Sequence, residues 1–137
     1  MDIDIREYND SDYKFVNAIL NESFDVEKSN VSNSIAHEFV AVYDGKVVGY
    51  FYLLDSIDIV ENIKCYFLEY LCVDSNYRGL GIANSMMEYI FDYSKKNDVK
   101  RIELTSNKHR VAAHGLYKKY GFIVRDTVVF RKDLLWF

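Results

Sequence analysis

The first chemistry that the sequence suggests is anion binding by a glycine-containing loop at residues 78–83, Arg-Gly-Leu-Gly-Ile-Ala. The loop lies between a β-rich run ending near Val73 and an apolar helical pattern beginning at Ile82. Free backbone amides and the dipole of a helix N-terminus attract anions. Because Gly79 and Gly81 carry no Cβ, a diphosphate could approach those amides closely. A tight strand-to-helix turn without a ligand remains the alternative.

Two common phosphate-binding patterns fit this loop poorly. A Walker loop ends in Gly-Lys-Ser/Thr, whereas Gly81 is followed by Ile82 and Ala83. A dinucleotide fingerprint requires glycine or alanine at position 84, which is Asn84, and it belongs to the first βα turn of its domain. The loop therefore does not favour a nucleotide-binding protein, which is the weakest of the function classes compatible with an anion-binding loop.

A third pattern fits much better. Residues 68–83 resemble the acetyl-CoA-binding motif of the GNAT superfamily of N-acetyltransferases, whose core is Arg/Gln-x-x-Gly-x-Gly/Ala. Its defined positions are filled here by Arg78, Gly81 and Ala83. Residues 110–122 resemble the second signature of that family, Ala-x-x-x-Tyr-x-x-x-Gly-Phe. The resemblance implies an acetyl-CoA-dependent N-acetyltransferase, with residues 1–137 as a single domain.

The resemblance also implies where acetyl-CoA binds. The strand around Cys72 would pair with the pantetheine arm, and the amides of the loop would hold the pyrophosphate. Many relatives carry an asparagine at the position of Arg110, which leaves both this residue and Asn107 as candidates for cofactor contacts. The predicted cofactor-binding residues are Leu71, Cys72, Val73, Arg78, Gly79, Leu80, Gly81, Ile82, Ala83, Asn84, Asn107, Arg110 and Tyr117.

The implied reaction is direct attack of a neutral amine on the thioester carbonyl. It needs a base for the ammonium, whose pKa is roughly 10.4, and a proton for the departing thiolate. Glu69 is the candidate base, because it lies in an apolar run in phase with Leu71 and Val73 and aligns with the general base of some relatives. Tyr117 aligns with the tyrosine that acts as general acid in relatives. The ordinary alternatives to these catalytic roles are that Glu69 is a solvated carboxylate on the sheet surface and that Tyr117 only packs its ring.

Other assignments stay open at this stage. His109 and His114 are alternative bases, and an acetyl-cysteine route through Cys72 is a minor possibility without a base partner. A non-catalytic acyl-CoA-binding or sensing module of the same fold is the main alternative function. As acceptor, a small cationic amine is slightly favoured over a peptide or protein amine, and Tyr66, Tyr70, Glu22, Asp25 and Glu38 could line its site.

The elements that must position these residues follow from hydrophobic periodicity. The pattern predicts an α/β fold with a mixed sheet, and the family resemblance adds a V-shaped split between strands 64–73 and 100–105. The predicted order is a strand near 3–8, a helix carrying Phe15 to Phe24, a polar helical or loop region to about Ser34, a hairpin of strands 38–43 and 47–54 joined by Asp44-Gly45, strand 64–73, helix 82–96, strand 100–105, helix 110–120, and β-rich segments 122–129 and 130–136.

Composition limits the remaining function classes. With 137 residues, 50% of them hydrophobic, the chain suits one globular domain. No 18-residue apolar run and no basic, apolar leader are present, so we expect a cytoplasmic protein that binds no membrane. Cys65 and Cys72 are expected to be reduced, and no metal is expected.

Charge is divided unevenly along the chain. Residues 1–62 hold 13 acidic and 4 basic residues, whereas residues 63–137 hold 8 and 13, which favours an anion at the second half and a cation at the first. The net charge of −4 and the lack of a basic stripe disfavour nucleic acid. The apolar terminus Leu134–Phe137 leaves a homodimer open.

Overall fold

The computed structural model describes residues 2–31 and 33–136, so Phe137 lies outside the described residues. Its regular elements are strands β1 (Ile3–Glu7), β2 (Ala36–Tyr43), β3 (Lys46–Asp58), β4 (Ile63–Val73) and β5 (Val99–Glu103), and helices α1 (Tyr13–Phe24), α2 (Ile82–Lys96) and α3 (Val111–Lys119). Short 3-10 turns precede α1 and α2, at Asp10–Asp12 and Ser75–Tyr77. The predicted order of elements is confirmed from β1 to α3.

Local side-chain chemistry explains where the early elements begin. The Asn9 side chain accepts a hydrogen bond from the Ser11 amide, and Asp12 accepts one from the Asn9 amide, which together form a capping box before α1. Asp44 and Gly45, the turn between β2 and β3, both have positive φ, of 51° and 74°. Such a pair forms the tight turn whose twist matches two antiparallel strands.

The five strands form one sheet in the order β1-β2-β3-β4-β5. The first three pairings are antiparallel and the β4–β5 pairing is parallel, so the sheet is mixed. Among the described residues, β4 and β5 pair only as far as Phe67 and Glu103, whereas β4 continues to Val73. The sheet therefore opens between these two strands, and the predicted split is confirmed.

Helices cover both faces of the sheet. On one face, Met86, Met87 and Ile90 of α2 pack in a core with Phe51 and Leu53 of β3. On the other face, three apolar residues of α1 pack against one residue each from β2, β3 and β4, and these six are Val16, Ile19, Leu20, Val40, Tyr50 and Cys72. We refer to the two sides as the α2 face and the α1 face.

The predicted β-rich segments at residues 122–129 and 130–136 are wrong as strands. The described residues after α3 contain no regular strand, and Phe130 and Trp136 are 91% and 86% exposed. A cavity of about 1080 Å³ lies between β5 and this segment. β-propensity measures how well a side chain fits a pleated, half-buried surface. Because the segment stands away from the edge of β5, its apolar residues after Phe122 find no such surface.

Gly49 of β3 allows a close approach of three elements, and its replacement by alanine is expected to be destabilising. A Cβ there would lie 3.1 Å from Ala41 Cβ, 3.1 Å from Met86 Sδ and 3.2 Å from the Cys72 carbonyl oxygen. We expect Gly49→Ala to lower the free energy of unfolding by about 1–3 kcal/mol, because over-packing displaces neighbours. Urea unfolding followed by circular dichroism measures this difference.

Gly115 in α3 provides the matched control. A Cβ there would meet nothing within 4 Å, and alanine favours a helix by up to about 1 kcal/mol over glycine. Gly115→Ala should therefore be neutral or stabilising. A Gly49→Ala protein with an unchanged unfolding midpoint would show that the sheet and α2 can separate at this point without loss.

Candidate active site

The loop before α2 presents free backbone amides. Gly79 and Gly81 both have positive φ, of 80° and 82°, which glycine adopts without strain. The amide of Ser85 makes the first helical hydrogen bond, 3.0 Å to the carbonyl oxygen of Gly81. Within residues 2–31 and 33–136, no amide from 79 to 84 donates a hydrogen bond. The loop therefore has the unpaired amides that anion binding at a helix N-terminus requires.

Neighbouring elements hold this loop from two sides. Both carboxylate oxygens of Glu22, near the end of α1, accept hydrogen bonds of 2.9 Å from the amide and the hydroxyl of Ser75. At the other side, the side-chain oxygen of Asn84 accepts hydrogen bonds from Lys119 Nζ at 2.8 Å and from Tyr120 Oη at 3.1 Å. The start of α2 is thus fixed to the end of α3.

The predicted pantetheine strand lies beside the opening in the sheet. Leu71, Cys72 and Val73 are in the part of β4 that has no β5 partner among the described residues, so the backbone on this side is available for pairing. The Cys72 thiol is buried and donates a weak hydrogen bond to the Tyr50 carbonyl. Burial raises the pKa of this thiol to about 12, so Cys72 is a protonated packing residue and a poor nucleophile.

A β-bulge in β4 determines where Glu69 points. Tyr70 has a φ of 53°, and the pairing with β3 moves from Tyr50 opposite Cys72 to Tyr52 opposite Glu69. Leu68 and Leu71 both pack in the core of the α2 face, which a regular strand would not permit. The expectation that Glu69 is in phase with Leu71 is therefore wrong, since the bulge places Glu69 on the α1 face.

Glu69 is half-buried beside Tyr52. Burial raises the pKa of its carboxyl group, and its charge helps to raise the pKa of Tyr52. In the described part of the chain, Glu69 makes no ion pair and no hydrogen bond. A desolvated carboxylate without a partner can accept a proton.

Tyr117 lies half-buried on α3, close to two groups of the site. Burial raises the pKa of its hydroxyl, the positive charge of Arg110 lowers it, and Cys72 raises it. Tyr117 and Cys72 therefore lie within electrostatic range of each other, although one is on a helix and the other on a strand. Because its pKa is above the usual value near 10, Tyr117 is protonated at neutral pH and can donate a proton.

The Gly-Phe end of the second signature has a structural reason. The Phe122 amide donates a 3.0 Å hydrogen bond to the Tyr117 carbonyl, and the Gly121 amide donates one of 3.0 Å to the Lys118 carbonyl. With Gly121 at a φ of 88°, this pattern is a Schellman motif that ends α3. The Phe122 ring then packs edge-on against Tyr117, with centroids 5.9 Å apart. The signature thus holds the Tyr117 side chain in place.

The two remaining predicted residues lie at the start of α3. Asn107 is exposed, and its side-chain oxygen accepts a 2.9 Å hydrogen bond from the His109 amide. The guanidinium carbon of Arg110 lies 4.3 Å from the ring centroid of Phe24. The Arg110 side chain therefore extends over the end of α1, at one edge of the site.

Phe24, Tyr52 and Tyr70 form an aromatic cluster that sequence reasoning missed as a unit. Phe24 packs edge-on against Tyr70 with centroids 5.1 Å apart, and Tyr70 stacks on Tyr52 at 6.1 Å. Arg110 lies at the Phe24 end of this cluster and Glu69 adjoins the Tyr52 end. Tyr70 was a candidate from the sequence, but no local signal connects it to Phe24 or Tyr52.

The other candidates for the acceptor site are occupied elsewhere. Glu38 accepts a 2.6 Å hydrogen bond from Tyr50 Oη and forms a 2.8 Å ion pair with Lys28. Tyr66 is buried in the core of the α2 face. His114, which the sequence offers as an alternative base, has its Nε2 atom 3.2 Å from Ser106 Oγ.

The described residues lack two features, a metal-binding cluster and a membrane-spanning helix. In residues 2–31 and 33–136, no group of three or more His, Cys, Asp and Glu residues is arranged to hold a metal ion. None of the described helices is long and apolar enough to cross a membrane.

Comparison with known proteins supports the motif assignment. The model of the acetyltransferase (GNAT) family matches residues 4–122. N-acetylaspartate synthetase of Xenopus tropicalis is 32% identical over 107 residues, which cover 77% of this chain and 37% of that protein. L-amino acid N-acetyltransferase AaaT of Escherichia coli (strain K12) is 32% identical over 93 residues, or 66% of this chain and 55% of that protein. The chain thus spans between a third and somewhat over half of the lengths of these two curated relatives.

Solved structures show the same fold. A transcriptional regulator from Bacillus halodurans C-125 superposes with a TM-score of 0.85 at 17% identity, covering 96% of this chain and 100% of the other. A ribosomal-protein-alanine N-acetyltransferase from Brucella melitensis biovar Abortus 2308 gives a TM-score of 0.82 at 18% identity, with coverage of 96% and 100%. Together with the family match over residues 4–122, the split sheet and the two signatures show that this chain belongs to the acetyltransferase (GNAT) family.

Proposed function

We propose that the chain transfers an acetyl group from acetyl-CoA to a primary amine. The observation that carries this proposal is the open edge of β4 leading directly into a loop with free amides at the start of α2. An extended pantetheine arm fits an unpaired strand edge, and a pyrophosphate fits helix-terminal amides. Two relatives, named N-acetylaspartate synthetase and L-amino acid N-acetyltransferase AaaT, add support.

The residues present fit acetyl-CoA, which supplies the activated thioester. Leu71, Cys72 and Val73 would offer backbone groups to the pantetheine arm, and the amides of residues 79–84 would bind the pyrophosphate. Arg78 is held near the strand end by a 3.4 Å hydrogen bond from its Nε to the Val73 carbonyl, where its charge suits a phosphate. Asn107 stays a predicted contact, with its side-chain amide nitrogen available.

Glu69 and Tyr117 would perform the two proton transfers. Glu69 is half-buried without a partner among the described residues, so it would take the ammonium proton directly or through water. Tyr117 carries its proton at neutral pH and would give it to the departing thiolate. The low reactivity of the Cys72 thiol supports direct transfer over an acetyl-cysteine route.

A small amine that is cationic in solution is the acceptor we favour over a peptide or protein amine. Its support is the acidic first half of the chain together with the unpaired carboxylate of Glu69. The second candidate function is an acyl-CoA-binding or sensing module without turnover. A sensing module would bind acyl-CoA through the same loop. It differs from the transferase only because it does not need Glu69 and Tyr117 as proton-transfer groups.

Isothermal titration with acetyl-CoA tests the cofactor site directly. We expect saturable binding that weakens about 10- to 100-fold in Gly81→Glu, because a carboxylate would face the phosphates and a side chain would cover the amides. The matched control is Gly45→Glu, since Gly45 also has a positive φ and a Cβ there would meet nothing within 4 Å. This control introduces the same charge and a similar backbone strain in the β2–β3 turn.

Thiol release with a panel of amines then separates the two functions. Binding with turnover supports the transferase, and binding without turnover on any amine supports the sensing module. If the folded protein binds neither acetyl-CoA nor CoA, or if Gly45→Glu weakens binding as much as Gly81→Glu, the assignment of the loop is wrong.

A further inference from the structure

Arg110 is a half-buried arginine with no acceptor for its side-chain hydrogen atoms in the described part of the chain. The other half-buried arginines have acceptors: Arg6 pairs with Asp12 at 2.8 Å, and Arg101 pairs with Asp58 at 2.9 Å. Arg78 donates to a backbone carbonyl. Arg110 has only the face of the Phe24 ring, 4.3 Å from its guanidinium carbon. Its five N–H groups are therefore free to bind a ligand.

The position of Arg110 places this free guanidinium inside the proposed active site. Its positive charge lowers the pKa of both the Tyr117 hydroxyl and the Cys72 thiol, so it lies near the groups that flank the thioester position. Through Phe24 it also adjoins the aromatic cluster that leads to Glu69. The guanidinium therefore lies on the α1 side of the proposed active site, over the end of α1.

A planar guanidinium stacked on an aromatic ring is well suited to one ligand group. Stacking fixes the plane of the Arg110 guanidinium without using its N–H groups. Two of these N–H groups can therefore bind both oxygens of a carboxylate. A carboxylate would also neutralise a charge that is partly removed from water. An amine substrate without a carboxylate or another anionic group would leave these N–H groups of Arg110 unused.

We propose that the acceptor amine carries a carboxylate, as in a free amino acid, and that Arg110 binds this carboxylate through the guanidinium held over Phe24. This inference rests on the proposed function, because it specifies the acceptor of that reaction. In an α-amino acid the amine and the carboxylate share one carbon atom. A carboxylate bound by Arg110 would therefore keep the amine close to the guanidinium, on the side of the site where the Arg110 charge acts on Tyr117.

This role differs from the cofactor contact predicted for Arg110 from the sequence. The loop amides and Arg78 already provide groups for the phosphates. Arg110 stands where many relatives have an asparagine, and its side chain reaches past the start of α3 to the end of α1. The two roles make different predictions for acetyl-CoA affinity, which the following test uses.

The test compares glycine and the L-amino acids that have a primary amine and no thiol with their carboxamides as acceptors, by thiol release from acetyl-CoA. Amidation lowers the ammonium pKa and so favours the amide, which means that a preference for the acid cannot arise from amine protonation. We expect kcat/KM to favour the best amino acid over its amide by about 10- to 100-fold. Arg110→Gln should reduce kcat/KM on the acid about 10- to 100-fold more than on the amide.

Two variants and one binding measurement complete the design. Arg110→Lys keeps the positive charge without the planar guanidinium and should retain part of the preference for the acid over the amide. This variant keeps the test valid if Arg110→Gln does not fold. Arg125→Gln makes the same charge change at an exposed residue and should keep the full preference. The Kd of acetyl-CoA for Arg110→Gln should stay within about threefold of the wild-type value.

The possible failures are distinguishable. If acids and amides react equally well, or if Arg110→Gln lowers both rates equally, Arg110 does not bind the acceptor and the inference is wrong. A loss of acetyl-CoA affinity as large as the loss of rate would assign Arg110 to the cofactor and also overturn it. If acetyl-CoA binds and no amine releases thiol, the proposed function itself fails, and the inference with it.

Discussion

Replacement of Tyr117 by phenylalanine is expected to lower kcat by about 10²- to 10⁴-fold, the usual contribution of a general acid. The substitution removes one hydroxyl group and leaves the ring that packs against Phe122. Burial keeps the pKa of Tyr117 above its usual value, so the hydroxyl carries its proton at neutral pH and can protonate the thiolate. Steady-state thiol release gives kcat, and isothermal titration gives the Kd of acetyl-CoA, which we expect to change only a few-fold.

Tyr89→Phe is the matched control for this experiment. Tyr89 is a half-buried tyrosine of α2 that packs against Phe39, away from the open edge of β4. It should therefore keep the wild-type kcat. A Tyr117→Phe protein with wild-type kcat would remove the general acid from the mechanism, and a rate loss matched by weaker acetyl-CoA binding would make Tyr117 a cofactor-binding residue only.

Replacement of Glu69 by glutamine is expected to lower kcat/KM for the amine by about 10²- to 10⁴-fold. Glutamine keeps the size of the side chain and cannot take up a proton. The carboxylate acts as a base in its deprotonated form, so activity should fall as the pH decreases through the pKa of Glu69. Because burial raises the pKa of Glu69, the activity should begin to fall at a higher pH than it would with an ordinary glutamate as the base.

The pH dependence of kcat/KM distinguishes a base from a merely structural residue. In Glu69→Gln the acidic limb assigned to this carboxylate should disappear, whereas the dependence on the amine's own deprotonation should remain. Glu88→Gln, at an exposed position on α2, should behave as the wild type. If Glu69→Gln retains the same acidic limb at a lower rate, another group is the base and Glu69 only shapes the site.

Much of the fold could be predicted because its signals are local. The capping box at Asn9 and Asp12 and the turn at Asp44-Gly45 depend on neighbouring residues, so periodicity and turn chemistry found the elements around them. The candidate cofactor loop is also local, since Gly79 and Gly81 adopt their positive φ within one short segment. The second signature encodes the Schellman motif that ends α3 and seats Tyr117.

Tertiary pairing decided what the sequence could not. The bulge at Tyr70 inserts one extra residue of β4 opposite β3. Because a shift of one residue moves a side chain to the other face of a sheet, strand alternation predicts the wrong face for Glu69. The segment after α3 has strand-forming residues, but a strand exists only where an edge accepts its hydrogen bonds, and β5 stands apart from it.

The sequence by itself therefore determined the family, and it proposed the candidate cofactor loop and the two candidate proton-transfer residues, because each depends on residues close together in the chain. Only the tertiary structure brought Phe24, Tyr70 and Arg110 into contact. These residues come from α1, β4 and the start of α3, and no pattern of short period connects them. The side of the site that would select the acceptor is thus a product of packing between distant segments.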